Sequence, residues 1–284
     1  MARIKDPLAG LARPNPSHTD EQIVAVLHSM PASDWAVLTG AGVSTDSGLP
    51  DYRGPNSPRR TPMTIQAFRA SASNRRHYWA RSFLGWDKIL DAHPGPAHHE
   101  LARIAPGGLI TQNVDGLHQA AGSENVIDLH GRLDRVICLR CENLFDRQWV
   151  QDELHALNPD FARQLGVSAE MLETAPDGDV AVDDTQGFVV LPCPVCGGDL
   201  KPDVVFFGDS VPAERNREAH ALAGRGRGLV VLGSSLAVLS GLRFVKNAFK
   251  EGKPIVVVTD GPTRGDELVT YRSVSRVKDF LPLW

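Results

Sequence analysis

The stretch DWAVLTGAGVSTDSG, residues 34–48, decides the fold. Asp34 to Thr39 reads as a short buried strand running straight into Gly40-Ala-Gly42, so the passage is a strand, a glycine turn and a helix start. Glycines there let the backbone approach a pyrophosphate, and a helix start supplies unpaired N–H groups to receive it. The motif departs from the usual dinucleotide fingerprint. Thr45 stands where the third glycine belongs, and an Arg- and Pro-rich loop stands where an acidic residue is expected about 20 residues on. Alone, it also fits a tight turn that holds no ligand.

Working outward, Glu21 to Met30 has apolar positions at helical spacing. Pro50 to Pro62 contains four prolines and three arginines and reads as a functional loop. Thr64 to Leu90 is helical and aromatic, and its Phe68, Tyr78, Trp79, Phe83 and Trp86 are expected to pack a small helical subdomain rather than hold a ligand. Gly108–Asn113 and Val126–His130 read as strands with polar ends, as around ligand crevices in open α/β sheets. Val204–Phe207, Gly228–Leu232 and Pro254–Val258 follow, the last two separated by a helical stretch from Ala237 to Lys250. This alternation predicts βαβ units and one parallel sheet, an α/β fold of Rossmann-like type. Asn158 to Gly187, rich in acidic residues, Pro and Gly, is the expected insertion loop.

The 284 residues, 42% hydrophobic, can bury a substantial core. A net charge of -4 supplies no field to gather nucleic acid, and no apolar run reaches the roughly 18 residues of a membrane span. Neither nucleic acid nor membrane is therefore expected as a partner. The opening residues resemble neither a secretory signal nor a transit peptide, which points to the cytoplasm. Nothing in the pattern specifies an oligomeric state.

All four cysteines fall in two pairs, Cys138-x-x-Cys141 and Cys193-x-x-Cys196, with Gly197-Gly198 after the second. Four thiolates in two turns predict one tetrahedral zinc ion, structural because no coordination position is left open. A redox pair or buried free cysteines are the rival readings. The 51 residues between the pairs, 142–192, exceed the spacing of a compact zinc ribbon, so a segment is looped out, and residues 158–187 are that segment.

Gln112-Asn-Val-Asp115, His130 and Gly233-Ser-Ser235 each follow an apolar stretch. Taken together with GAGVSTDSGLPDYRG (40–54), TQNVDGLHQAAG (111–122), IDLHG around His130, the cysteine pairs, KPDVVFFGD (201–209) and LGSSLAV (232–238), they resemble the sirtuin family across nearly the whole chain. RRHYWARSFLGW (75–86), APDGDV (175–180) and GPTRGDEL (261–268) are most similar to its class II branch, typified by the mitochondrial sirtuin four.

The resemblance implies an NAD-dependent protein-lysine deacylase. In such enzymes nicotinamide leaves, the acyl-lysine oxygen attacks the ribose, and the acyl group ends on ADP-ribose. His130 matches the general base, and an imidazole with an ordinary pKa near 6.5 suits that task. By the same match Asn113 orients ribose or water, and Asp115, with Leu49 and Ser44, frames the nicotinamide pocket. The catalytic set is thus His130, Asn113 and Asp115. Gln112 and Arg53 face ribose and phosphates, with Gly40, Ala41, Gly42, Asp51, Tyr52 and Val114 completing that side. Gly233, Ser234 and Ser235, with Thr259, Asp260 and Gly261, meet the adenosine. Val205, Phe206, Phe207 and Gly208 match the strand on which acylated protein substrates add by backbone pairing.

Two departures stand out. Thr259 replaces an Asn that contacts the adenine ribose in many sirtuins, and Phe206 replaces the usual Trp of the substrate strand. Neither changes the expected reaction class. The loop after Tyr52-Arg53-Gly54 lacks the Tyr-x-x-Arg pair by which class III members hold acidic acyl chains, so a succinyl preference is not expected, and Arg59 and Arg60 read as solvated charges. The expected Rossmann-like part comprises 1–54, 100–135 and 201–284; the small part joins a helical piece, 55–99, to a zinc piece, 136–200. Mono-ADP-ribosyl transfer and a non-catalytic NAD or zinc interaction module are the alternative functions.

Overall fold

Trp35–Leu38 is a continuous apolar run closed by Thr39 and Gly40, a pattern that suits a strand covered on both faces. The structure, a computed structural model, describes residues 7–8, 10–12, 14–51, 62–166 and 179–284. Among these the strands are β1 (Trp35–Thr39), β2 (Gly108–Thr111), β3 (Val126–Asp128), β4 (Gly131–Cys138), β5 (Leu144–Asp146), β6 (Leu200–Val204), β7 (Gly228–Leu232), β8 (Ile255–Val258) and β9 (Tyr271–Ser273). The helices are α1 (Asp20–His28), α2 (Ile65–Ala70), α3 (Ala72–Leu90), α4 (Pro96–Ile104), α5 (Leu117–Ala120), α6 (Arg147–Leu157), α7 (Phe161–Leu165), α8 (Ala213–Arg225), α9 (Leu239–Lys250) and α10 (Val277–Phe280).

Six strands form a parallel sheet in the order β3-β2-β1-β7-β8-β9. All five residues of β1 are buried, and they alternate between two cores. Trp35 and Val37 join Ile23 and Leu27 of α1, Leu101 of α4 and Phe280 of α10 on one face. Ala36 and Leu38 join Leu222 of α8 and Leu242 and Phe244 of α9 on the other. Each buried Val, Leu, Ile or Phe among them contributes roughly 1.5–3 kcal/mol. The chain leaves β1 toward β2 on one side and later returns to β7 on the other, so the strand order reverses between β1 and β7. In open α/β sheets that reversal opens a crevice beyond the carboxyl ends of the strands.

The second sheet, β5-β4-β6, is antiparallel. It corrects one expectation: the strand read at Val204–Phe207 as a member of the parallel sheet lies upstream, at Leu200–Val204, and pairs with β4. An apolar run identifies a strand without naming its partner, and the pairing with β4 decided it. β4 and β6 also run across the boundaries expected at 135/136 and 200/201. Behind this sheet α3 and α6 share a core with Phe161 of α7, Val180 and Phe188, so both described ends of the expected insertion loop pack, and one of them is helical.

The five aromatics of residues 64–90 are buried as expected. Ser71 divides the helical stretch in two, because its hydroxyl accepts from the Asn74 N–H and starts α3 anew. At the junction with α6 the guanidinium of Arg147, 1% exposed, lies 5.4 Å from the Trp79 ring centroid and 4.4 Å from that of Trp86. It donates to the Gln151 Oε1 at 2.8 Å and to the Ser82 carbonyl at 3.3 Å. A lone buried cation is costly, and here two indole faces and neutral acceptors dress it.

Candidate active site

The α-helix expected after Gly40-Ala-Gly42 does not form. Ala41–Val43 and Thr45–Ser47 make two 3₁₀ turns that end at Gly48, with φ +81°. One local bond accompanies the tighter turns: the Thr45 hydroxyl donates to the Gly42 carbonyl at 3.3 Å. The turn is held from the strand next door. The Gly40 N–H donates to the Leu232 carbonyl at 3.0 Å and the Gly42 N–H to the Gly233 carbonyl at 2.9 Å. A Cβ on Gly42 would stand 2.8 Å from the Gly233 Cα. Gly42→Ala is therefore expected to destabilise the protein by about 1–3 kcal/mol, because only backbone can move aside. A urea melt measures it; an unchanged midpoint would mean that the two turns are not in contact.

These turns border one cavity of about 1130 Å³. That exceeds the roughly 300–1,000 Å³ of an ordinary ligand pocket. Its lining brings together the sequence-predicted residues that the structure describes: Gly40, Ala41, Gly42, Ser44, Asp51, Gln112, Asn113, Val114, Asp115, His130, Val205, Phe206, Phe207, Gly208, Gly233, Ser234, Ser235, Thr259, Asp260 and Gly261. Tyr52, Arg53, Arg59 and Arg60 lie outside the described residues.

His130, just beyond β3, is fixed through both ring nitrogens. Nδ1 lies 2.9 Å from the Gln112 carbonyl, which can only accept, so Nδ1 carries the proton. Burial holds its pKa below the ordinary value; the Gln112 carbonyl opposes this and the Arg215 charge reinforces it. The ring is thus neutral near pH 7, and Nε2 keeps a lone pair, 2.7 Å from the Ser240 Oγ.

Beside it runs a polar chain. The Asn113 amide donates to the Gly40 carbonyl at 3.2 Å and to Ser44 Oγ at 2.9 Å. The Ser44 hydroxyl donates to Asp115 Oδ2 at 2.7 Å, and the Leu117 N–H donates to Oδ1 at 3.0 Å. Gln112 reaches the Thr39 carbonyl and Ser234 Oγ, at 3.1 and 2.7 Å, and so ties β1, β2 and β7 together at their ends.

At the far end the buried Arg272 of β9 donates to the carbonyls of Thr259 at 2.8 Å and Gly261 at 2.5 Å, which fixes the turn after β8. Opposite, the segment after β6 is drawn in by Val205 N–H, which donates to the His130 carbonyl at 2.8 Å, and by the Phe207 carbonyl, which accepts from Ile65 N–H at 3.0 Å. Phe206 packs against Phe68 and Tyr78, with ring centroids 5.3 and 5.1 Å apart.

Sequence reading missed a wall supplied by α3 and the returning insertion: His77, Tyr78, Arg81 and Asp179. The Tyr-x-x-Arg spacing absent from the loop after Gly54 stands here, as Tyr78 and Arg81. Arg81, however, is occupied by Asp179 Oδ2 at 2.6 Å, the Val180 carbonyl at 2.5 Å and His77 Nε2 at 3.0 Å. Ser240 was also missed, and it carries no motif that marks it.

The cysteines converge as well. All four Sγ atoms lie within 4.8 Å of one another, with 3.5 Å from Cys138 to Cys196 and 3.7 Å from Cys141 to Cys193. Zinc–sulfur bonds of about 2.3 Å place tetrahedral sulfurs about 3.8 Å apart, so the set fits one ion. The Arg140 N–H at 3.4 Å and the Asn143 amide at 3.3 Å donate to the sulfurs, as suits thiolates. All four cysteines are free of disulfides, and the four sulfurs form a structural zinc site.

With this geometry in hand, the profile of the Sir2 family matches residues 40–240. The chain belongs to the Sir2 family. It is 48% identical over 265 residues to the NAD-dependent protein deacetylase 1 of Streptomyces coelicolor, covering 90% of this chain and 86% of that protein. It is 50% identical over 244 residues to the NAD-dependent protein deacetylase of Xanthomonas axonopodis pv. citri, covering 83% and 81%. Among solved Sir2 structures it is similar to one described as "Sir2-p53 peptide-NAD+", at 30% identity and a TM-score of 0.71 over 93% of this chain and 96% of that one. A second, "Structure of Sir2Tm bound to a propionylated peptide", matches at 29% identity and a TM-score of 0.69, with the same coverage. The motifs read from the sequence, where the structure describes them, line the one crevice at the β1–β7 reversal.

Proposed function

We propose that this Sir2 protein removes acyl groups from lysine side chains of proteins with consumption of NAD, transferring the acyl group to ADP-ribose and releasing nicotinamide. The observation that carries the reading is His130: neutral, with its proton on Nδ1, its lone pair on Nε2, and a place on the wall of a cavity bounded by the strand-end turns. NAD, when bound, supplies an electrophilic ribose carbon whose leaving group is nicotinamide. Gly40, Ala41 and Gly42 offer backbone to the phosphates, and Gly233 to Ser235 with Thr259 to Gly261 offer the adenosine end. Asp51, Tyr52 and Arg53 belong to the same cofactor set. Asn113, Val114, Asp115, Ser44 and Gln112 orient the ribose and the nicotinamide amide. Val205, Phe206, Phe207 and Gly208 receive the acylated peptide, and His130 Nε2 accepts a proton.

The Rossmann-like part (1–54, 100–135, 201–284) and the small part (55–99, 136–200) hold NAD between them in this reading, and the class II kinship belongs to it. A cytoplasmic location is also part of it, since zinc-bound thiolates suit a reducing compartment. Among the described residues no helix is long and apolar enough to cross a membrane. The net charge of -4 favours protein substrates over nucleic acid.

Mass spectrometry of acetyl-, methylglutaryl-, lipoyl- and myristoyl-lysine peptides, incubated with and without NAD, tests the reading. NAD-dependent loss of an acyl group is expected. Nicotinamide release with ADP-ribose appearing on protein would instead establish transfer, and no NAD turnover would refute both. Acyl choice follows from Arg81. With Asp179 occupying its fork, Arg81 is not available to an acidic acyl tail, so Asp179→Ala is expected to raise the succinyl-to-acetyl turnover ratio about 10-fold or more. Peptides in competition measure that ratio; an unchanged value would remove Arg81 from the acyl end.

A further inference from the structure

Ser240 lies in the first turn of α9, and its hydroxyl is 2.7 Å from His130 Nε2. Because Nδ1 carries the ring proton, a neutral ring can only accept at Nε2, so Ser240 donates. The approach of α9 is built in. Gly241, the next residue, has no side chain, and a Cβ there would stand 2.3 Å from Gln112 Oε1. Gln112 therefore touches both sides of the arrangement: its carbonyl holds Nδ1 and its amide lies against the turn that presents Ser240. That amide is itself fixed by Thr39 and Ser234.

We propose that Ser240 is a positioning residue for His130, its hydroxyl and the Gln112 carbonyl holding the imidazole from opposite ends in one tautomer with Nε2 toward the cavity. The proposal rests on the reading of His130 as the base, but the contact is a property of the ligand-free protein. The hydroxyl stabilises the neutral ring. Other groups act on the ring from their own elements: Arg215 of α8 by its charge, with Asp203 of β6 3.4 Å from that guanidinium, and the Gln112 carbonyl from β2's end.

The test is a pH titration of the His130 ring by NMR in the ligand-free protein, for the parent, Ser240→Ala and Ser240→Thr. Loss of one hydrogen bond to the neutral form is expected to raise the His130 pKa by about half to one unit in the alanine variant, with the threonine variant close to the parent. The acid limb of kcat/KM should move with it, and kcat should fall about tenfold with little change in KM for NAD. Identical titrations in all three proteins would overturn the proposal even if activity fell. A shifted titration with unchanged kcat would overturn the positioning role while leaving the contact. If His130→Ala still turned over peptide, the base reading would fail, and the titration would still decide whether the contact exists.

Discussion

Replacing His130 with alanine is expected to reduce NAD-dependent deacylation by about 10²–10⁴-fold, the range over which a positioned general base acts. The Gln112 carbonyl fixes the ring's tautomer and leaves the Nε2 lone pair on the Ser240 side, at the cavity wall. Its depressed pKa gives the sign of the pH dependence. The neutral, proton-accepting form is present across neutral pH and is lost only as pH falls below the ordinary histidine value of about 6.5. The substitution leaves the Gln112 carbonyl and the Ser240 hydroxyl without a protein partner there, but both border the cavity, where water can reach them, so stability should fall by no more than about 1 kcal/mol. Mass spectrometry of an acetyl-lysine peptide reads the first quantity, and a thermal melt with NAD calorimetry reads the others. Turnover near the parent rate would exclude His130 as the base.

Removal of zinc should have the largest effect on stability. Structural zinc contributes about 10–16 kcal/mol in small zinc-binding peptides, which matches or exceeds the roughly 5–15 kcal/mol that holds a typical domain together. Cys138 ends β4, and Cys193 and Cys196 lead through one turn into β6, so without the ion the three-stranded sheet loses its closed end. β6 runs on into Val205–Gly208 on the cavity wall. A strong chelator, or Cys193→Ser, is therefore expected to abolish activity from a distance and to lower the melting temperature by well over 10 °C. Circular dichroism with zinc add-back, and a metal assay expecting one ion per chain, check it. A melting curve that does not move after the metal is stripped would show that the thiolates do not carry the fold.

Much of this was legible in the chain. The apolar run up to Thr39 read as a buried strand because it is short and runs straight into a glycine turn, and the polar residues after such runs marked the crevice. The cysteine spacing announced the metal, since four sulfurs in two turns have few other uses. What escaped reading depended on three-dimensional neighbours. The residues of Leu200–Val204 are the same whether the strand pairs with β4 or with a parallel neighbour. The turn after β1 is 3₁₀, with the Thr45 hydroxyl bonded back to the Gly42 carbonyl while Ser44 and Asp46 reach distant partners, and none of this registers in periodicity. Arg81 and Asp179 are 98 residues apart, and Ser240 and His130 are 110 apart, so neither pairing leaves a local signature. Arg272, which fixes the turn after β8, reads in sequence as one more surface charge.

The guanidinium of Arg147 between Trp79 and Trp86 joins α6 to α3. A cation so enclosed has no comfortable intermediate state: if the helices part slightly, it is left among apolar groups before water can reach it. The junction should consequently open in a single cooperative event. The two indoles that enclose the charge serve as an intrinsic optical gauge of that event, so their emission should move in one sharp step, without any added label, when the small part of the molecule comes apart.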